Sequence, residues 1–310
     1  MKSSNRIFHA LSRGIGGIVL FLSCNQFFKH LTGDFSKEFL TKPLPDSQAH
    51  KEYVALQDVT GLEDLFLQEY TYLGQGNQAF VFLSQDQKHV LKLFRPVIPN
   101  VKFSFLGRTW KVHPSRLPLI KPLAAFFYQK QQQEEREMAF LSFYNAATLL
   151  REDTQVEYLH LVKTCGLFPQ KTLKIYDKIG VLHEIELDKT SFLIQKKTDP
   201  LYSILARLVE EGKRKQVQEL LHHFVLYCFR LLEVGVKEPT TLKKNLGCTG
   251  LKPVQMDVGK VFILPDSAIS LEQVHRLTKP MKKWLALHDP SYLEYFSQQE
   301  MAEWSRYGTH

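Results

Sequence analysis

The sequence predicts an α+β protein in which an antiparallel-sheet lobe is followed by a helical lobe. Three observations point there. Residues 70–94 form two short runs with strand character around a tight turn, residues 201–234 and 270–306 carry apolar side chains at helical spacing, and no repeat or low-complexity tract interrupts them. The 310 residues are 44% hydrophobic and 23% charged, ordinary globular values that exclude a disordered, collagenous or multi-span membrane protein. Four cysteines (Cys24, Cys165, Cys228, Cys248) are too few and too dispersed for a disulfide scaffold or a C-x-x-C site.

In chain order, residues 1–30 read as an apolar anchor or signal. Lys2, Arg6 and Arg13 precede an apolar run from Gly14 to Phe28, broken at Asn25 and Gln26. A cleavable signal has this shape, and a spanning helix needs about 20 apolar residues. Three readings stay open here: a membrane anchor, a cleaved signal, or an amphipathic helix packed on the domain. Residues 31–64, with Pro43 and Pro45, read as a linker and lead-in. From residue 65 a single domain is expected, with a sheet lobe over 65–195 and a helical lobe over 196–310. The sheet lobe starts with two strands joined by the turn at 84–87 and continues with a helix over 123–150, whose Met138, Leu141, Tyr144 and Ala147 are helically spaced. Strands at 172–176, 180–186 and 191–195 follow. The helical lobe carries helices over 201–212, 215–234, 270–287 and 290–306, with a short strand at 253–257.

Basic residues exceed acidic ones by 40 to 32, a net charge of +8. The excess is local: nine basic residues and no acid lie between Asp86 and Glu134, leaving 31 basic against 32 acidic residues elsewhere. Within this interval, the insert 95–122 interleaves Phe103, Phe105 and Trp110 with lysines and arginines. Such a pattern suits an anionic membrane surface or single-stranded nucleic acid. Beside an apolar N-terminus, membrane contact is the expectation and a membrane-associated protein follows from it; the alternative is an insertion that is merely packed on the domain.

The chemistry-bearing residues fall in two blocks. Gly74 and Gly76 lie in a hairpin, where the missing Cβ lets backbone approach phosphate oxygens. A G-x-G between two strands differs from the dinucleotide fingerprint, which joins a strand to a helix. The next strand carries Lys92 among apolar residues, and an ammonium there must be paired or aimed at an anion. Far downstream, Asn245 and Asp257 are twelve residues apart across a short glycine turn. Their oxygens are of the type Mg²⁺ takes. His222 and His223 lie on an apolar helix and read as structural.

At these residues the chain resembles the protein-kinase-like superfamily over roughly residues 65–265, as a divergent member. The glycine run is G-x-G-x-x-A-x-V with Ala79 in place of a third glycine, Val90-Leu91-Lys92 matches the strand lysine, and Asp257-Val258-Gly259 stands where Asp-Phe-Gly is usual. The resemblance implies a two-lobed kinase-like fold with a small antiparallel-sheet N-lobe and a reduced helical C-lobe. It implies ATP and Mg²⁺ as cofactors in the cleft. Gly74 and Gly76 then cover the phosphates, and Lys92 holds them, fixed by a helix glutamate. Glu134, Glu135 and Glu137 compete for that role; Glu137 is chosen because Leu141, one turn on, is expected on the core side. Asn245 and Asp257 become the metal ligands.

The departures bear on catalysis. Five residues before Asn245, where the family has its catalytic aspartate, stands Thr240, and the nearest carboxylate is Glu238. Either Glu238 orients an acceptor hydroxyl, or the protein is a pseudokinase that binds and scaffolds. Protein partners remain open, and no Ala-Pro-Glu signature follows. A lobe this small resembles kinases of small molecules, sugars or lipids. A membrane-surface or nucleic-acid-binding protein without nucleotide function is the reading furthest from these.

Overall fold

A computed structural model describes residues 59–76, 78–95, 101–105, 108–112, 129–164, 166–168, 170–237, 245–259, 261–264 and 269–307, with 23, 24, 27, 31–33, 35, 44 and 53. Of these, 101–105, 108–112, 129–133, 135 and 237 are described by backbone alone. The N-terminal apolar run as a whole, Glu238, Thr240 and most of the insert 95–122 lie outside the described residues.

The chain is α+β, with mostly antiparallel pairing. Its first elements are helix α1 (Glu63–Leu67) and strands β1 (Tyr70–Gln75), β2 (Ala79–Ser84), β3 (His89–Phe94), β4 (Val101–Phe105) and β5 (Arg108–Val112). Helices α2 (Gln129–Thr148) and α3 (Arg151–Thr154) lead to strands β6 (Val156–His160), β7 (Thr172–Tyr176), β8 (Leu182–Glu186), β9 (Phe192–Lys196) and β10 (Asp199–Pro200). Helices α4 (Leu201–Glu210) and α5 (Arg214–Glu233) precede strands β11 (Val236–Lys237), β12 (Leu246–Thr249), β13 (Lys252–Gln255) and β14 (Phe262–Ile263). Helices α6 (Leu271–His288) and α7 (Leu293–Tyr307) come last. Two compact units result: residues 1–51, 58–95 and 162–192 form one, and 52–57, 96–161 and 193–310 the other. Helix α2, expected within a sheet lobe, belongs to the second unit.

In the first unit the strand order is β3-β2-β1-β7-β8, antiparallel except between β1 and β7. One face is a dense core. Alternation buries Phe80 and Phe82 on β2 and Leu91 and Leu93 on β3, all fully. Phe35 closes over them, its ring edge-on to Phe80 at 5.1 Å and Phe82 at 5.5 Å. Helix α1 adds Phe66, which meets Phe168 at 5.1 Å, while Tyr70 donates its hydroxyl to the Leu65 carbonyl at 2.8 Å. Residues 31–64, read from sequence as a linker, therefore contain core: Phe35 in this unit, and Tyr53 in the second, where it rests on Phe140 and Tyr144.

The second unit is built on α5, whose Val217, Leu220, Leu221, Phe224, Val225 and Cys228 are buried without exposure. Helix α7 packs on it through Phe224 and Phe296 at 6.1 Å and stacked Phe229 and Tyr307 at 5.0 Å. Helix α6 starts with a capping box, Ser270 and Gln273 bonding reciprocally. It is joined to α7 through the buried Glu300, which accepts from Thr278 at 2.7 Å, contacts His275 at 2.8 Å and pairs with Lys282. Burial pushes the Glu300 carboxyl up, and the Lys282, Thr278 and His275 bonds outweigh that, leaving it below the usual carboxylate range. A depressed carboxyl contributes stability above its unfolded pKa, near 4.3, and loses it as pH falls through the folded value. Urea midpoints should therefore drop more steeply below about pH 4.3 in the wild type than in Glu300→Gln. Parallel acid limbs in the two proteins would refute this.

Candidate functional site

Sheet register places two of the predicted residues of the first unit, Gly74 and Lys92, on one rung, with Gly76 in the turn beyond. Gly74 lies opposite Val81, and Val81 lies opposite Lys92. Directly opposed residues share a face, so Gly74 and Lys92 flank Val81 across three strands, roughly 10 Å apart at the usual strand spacing. A bulge brings this about. Pairing shifts between Tyr72 and Gly74, leaving Leu73 as the extra residue. Without it Gly74 would share the face of Tyr72, which packs on Phe82 at 5.7 Å. The rung belongs to the other face, where Val81 and Lys92 are half-buried and a Cβ on Gly74 would meet nothing within 4 Å.

The turn beyond is held from outside. Gly76 donates its N–H to the Ala79 carbonyl at 2.8 Å, and Arg95 donates its guanidinium to the Gly76 carbonyl at 3.4 Å. The same guanidinium lies over the Phe80 ring at 5.1 Å. Arg95 thus ties the glycine turn to the core residue behind it, a role the sequence reading assigned only to a basic insert.

In the second unit, two short ladders bring the downstream residues together. Strand β11 pairs with β14, Val236 opposite Ile263, and β12 pairs with β13, Leu246 opposite Gln255. The segment 238–245 leaves β11 and enters β12, while 256–261 leaves β13 and enters β14. Asn245 extends the hairpin, its carbonyl accepting from the Met256 N–H at 2.7 Å, so its backbone sits across from Met256, one residue before Asp257. Glu238, directly after β11, starts the same segment; its own placement lies outside the described residues. Gly235 enters β11 with φ at +76°, and a Cβ on it would run into the Leu264 carbonyl. The Leu264 N–H donates to the Gly235 carbonyl at 2.8 Å, so β11 and β14 meet through this glycine.

Asp257 is exposed, and its Oδ1 accepts from the Gly259 N–H at 3.2 Å. An amide and a carboxylate supply oxygen ligands of the kind Mg²⁺ takes, with water and phosphate completing the shell.

Behind Asp257 the backbone is held by buried side chains. Gln255 donates to the Asp257 carbonyl at 2.9 Å and accepts from the Tyr227 hydroxyl at 3.1 Å. Gln195 donates to the Gln255 carbonyl at 2.9 Å and to the Thr154 carbonyl. Burial drives the Tyr227 hydroxyl far above its ordinary pKa, with Asp153 and Cys228 adding to it, so it stays a donor. From helix α2, Ser142 donates to the Val258 carbonyl at 2.7 Å and accepts from the Val261 N–H at 2.6 Å. Asn145 donates to the Val261 carbonyl at 3.2 Å.

Glu137 does not share that edge of α2. At 100° per residue it is turned about 110° from the edge carrying Ser142 and Asn145, and it is exposed. The reason for choosing it fails, because Leu141 is 48% exposed and the buried face is Ala139, Phe140, Phe143 and Ala146. Glu134, three turns before Asn145, is also exposed but lies nearer the edge. Lys92 and the α2 glutamates belong to different units.

Other features carry no site residue. His222 meets Gln299 Oε1 at 2.9 Å and His223 meets the Leu251 carbonyl at 3.2 Å, as structural histidines do. A concavity of about 600 Å³ is lined by Ile204, Arg207, Leu208, Cys248 and Leu251 among others, none of them a predicted ligand. Burial, with Asp199 nearby, pushes the Cys248 thiol up to about 12, so it is no nucleophile near neutral pH. Among the described residues no group of three or more His, Cys, Asp and Glu gathers, and no helix is long and apolar enough to cross a membrane. In comparisons with known proteins, no family model matches the chain and no curated protein matches it.

Proposed function

We propose that the chain is a two-lobed, kinase-like protein that binds ATP with Mg²⁺ and acts at a membrane surface. The observation that carries the reading is the β12–β13 hairpin, whose pairing sets the Asn245 backbone across from Met256, one residue before Asp257. A metal pair twelve residues apart needs such a hairpin to converge. The rung of Gly74, Val81 and Lys92 supports it from the first unit, as does the order of elements: three antiparallel strands, a further hairpin, two helices, more strands, then helices and small ladders.

In this reading Val81 and the exposed Leu73 offer apolar surface to the base, and the Gly74 backbone leaves room for phosphate. Lys92 neutralises phosphate charge. Asn245 and Asp257 hold the cation, which when bound offsets the charge of the phosphates. Glu238 orients the hydroxyl of a small molecule, sugar or lipid and accepts its proton as the oxygen bonds to the γ-phosphorus and ADP leaves. The N-terminus and the insert 95–122 face anionic lipid. The pseudokinase reading rests on Thr240, which puts a hydroxyl where the family has its catalytic carboxylate.

Purified protein separates these readings. Nucleotide with Mg²⁺ should raise the melting temperature, and slow ATP turnover should fall at least a hundredfold in Glu238→Gln, the low end for loss of general-base help. Binding without turnover selects the pseudokinase. No thermal shift, beside salt-sensitive binding to anionic vesicles or oligonucleotides, removes the nucleotide reading.

A further inference from the structure

The segment carrying Asp257 is held more firmly than an exposed loop needs. Between Asp257 and Val261, the Val258 and Val261 carbonyls and the Val261 N–H are bonded by two side chains of one helix, Ser142 and Asn145. Both are buried, Ser142 completely and Asn145 to 8% exposure. They are three residues apart, hence neighbours on one edge of α2. Ser142 bonds on both sides of Gly259, so the turn that presents Asp257 cannot rotate without breaking two bonds. Gln255 fixes the Asp257 carbonyl from the other side at 2.9 Å. Polar side chains on a buried helix edge are costly unless satisfied, and here all their partners lie in one segment.

We propose that Ser142 and Asn145 are positioning residues that fasten the Asp257 segment to helix α2, so that helix and cation-binding carboxylate move as one body. Control of the site then runs through the helix. A shift or rotation of α2 carries Asp257 with it, and the Asp-Val-Gly turn does not flip independently. This deepens the proposed nucleotide site and rests on that reading for its functional consequence. The mechanical coupling rests on the hydrogen bonds alone.

Two measurements on the full-length chain test it. Amide exchange read over 256–262 should speed up about thirtyfold in Ser142→Ala, the effect of losing two buried hydrogen bonds. Exchange in α5 should stay as in the wild type, and Ser142→Thr, which keeps the hydroxyl, should restore protection. The Mg²⁺ concentration giving half of the ATP-induced thermal shift should rise about fivefold to tenfold in Ser142→Ala, while ATP binding without Mg²⁺ is unchanged. Unchanged exchange over 256–262 overturns the fastening, and so does faster exchange spread evenly over the whole chain. Faster local exchange with an unaltered Mg²⁺ midpoint overturns the control of the cation site. A wild type with no ATP response overturns the nucleotide reading instead, and the exchange arm then decides the fastening by itself.

Discussion

Lys92→Met should abolish the thermal stabilisation by ATP and Mg²⁺ while leaving the unliganded melting temperature within a few degrees of wild type. Methionine keeps an unbranched apolar stem beside Val90 and Phe94, which share the lysine's face, so packing on β3 survives. What is lost is the ammonium. Removing one partner of a desolvated charge pair costs about 2–5 kcal/mol, or roughly thirtyfold to several-thousandfold in affinity. Ligand stabilisation follows the logarithm of ligand concentration over Kd, so at millimolar nucleotide the shift disappears. Differential scanning fluorimetry of both proteins, with and without nucleotide, reads it directly. Equal shifts would mean that the rung of Gly74, Val81 and Lys92 holds no phosphate.

Gly235→Ala should be the most damaging single change to the downstream site. The residue has φ at +76°, which an alanine adopts only under strain, and the added methyl would meet the Leu264 carbonyl, a backbone atom with no freedom to swing away. Moving it breaks the bond from the Leu264 N–H and opens the two-residue ladder of β11 and β14. A loss of about 2–4 kcal/mol is expected, the range for backbone strain combined with overpacking. Gly250→Ala is the control: φ is +63°, but nothing lies within 4 Å of the new atom. There only conformational strain remains, about 1 kcal/mol. Urea midpoints of the two variants should differ clearly, with the nucleotide response lost only at 235. Matching midpoints would show that the contact with Leu264 is not a constraint.

Local patterning reached some of this architecture and not the rest. The β2–β3 hairpin was readable because two short apolar runs flank the polar turn Ser84–Gln87, and α4 and α5 because their apolar stripes are continuous. Strand β6 was missed: Val156, Tyr158, Leu159 and His160 are all buried, and a run buried on both sides has no period to read. The buried face of α2 was misread for the opposite reason. Ser142 and Asn145 are polar and buried, Met138 and Leu141 are apolar and 48% exposed, so polarity reported the wrong edge. The pairing that sets the Asn245 backbone across from Met256 could be anticipated from the glycine turn between them. The common face of Gly74 and Lys92 could not, because it depends on a register shift at Leu73 that leaves no mark in composition. The hairpin of β4 and β5 was likewise hidden within prolines and scattered charge.

Phe35 carries a practical corollary. Its ring lies on Phe80 and Phe82, directly behind the strands that bear the glycines, and Gly33 just before it sits against Tyr72. Trimming the greasy leader for easier handling, if the cut falls past residue 35, strips the cover from two phenylalanines and leaves a sticky patch at the back of the glycine hairpin. A shortened version that precipitates would thus report a missing plug, and it would say nothing about whether the leader itself belongs in a bilayer.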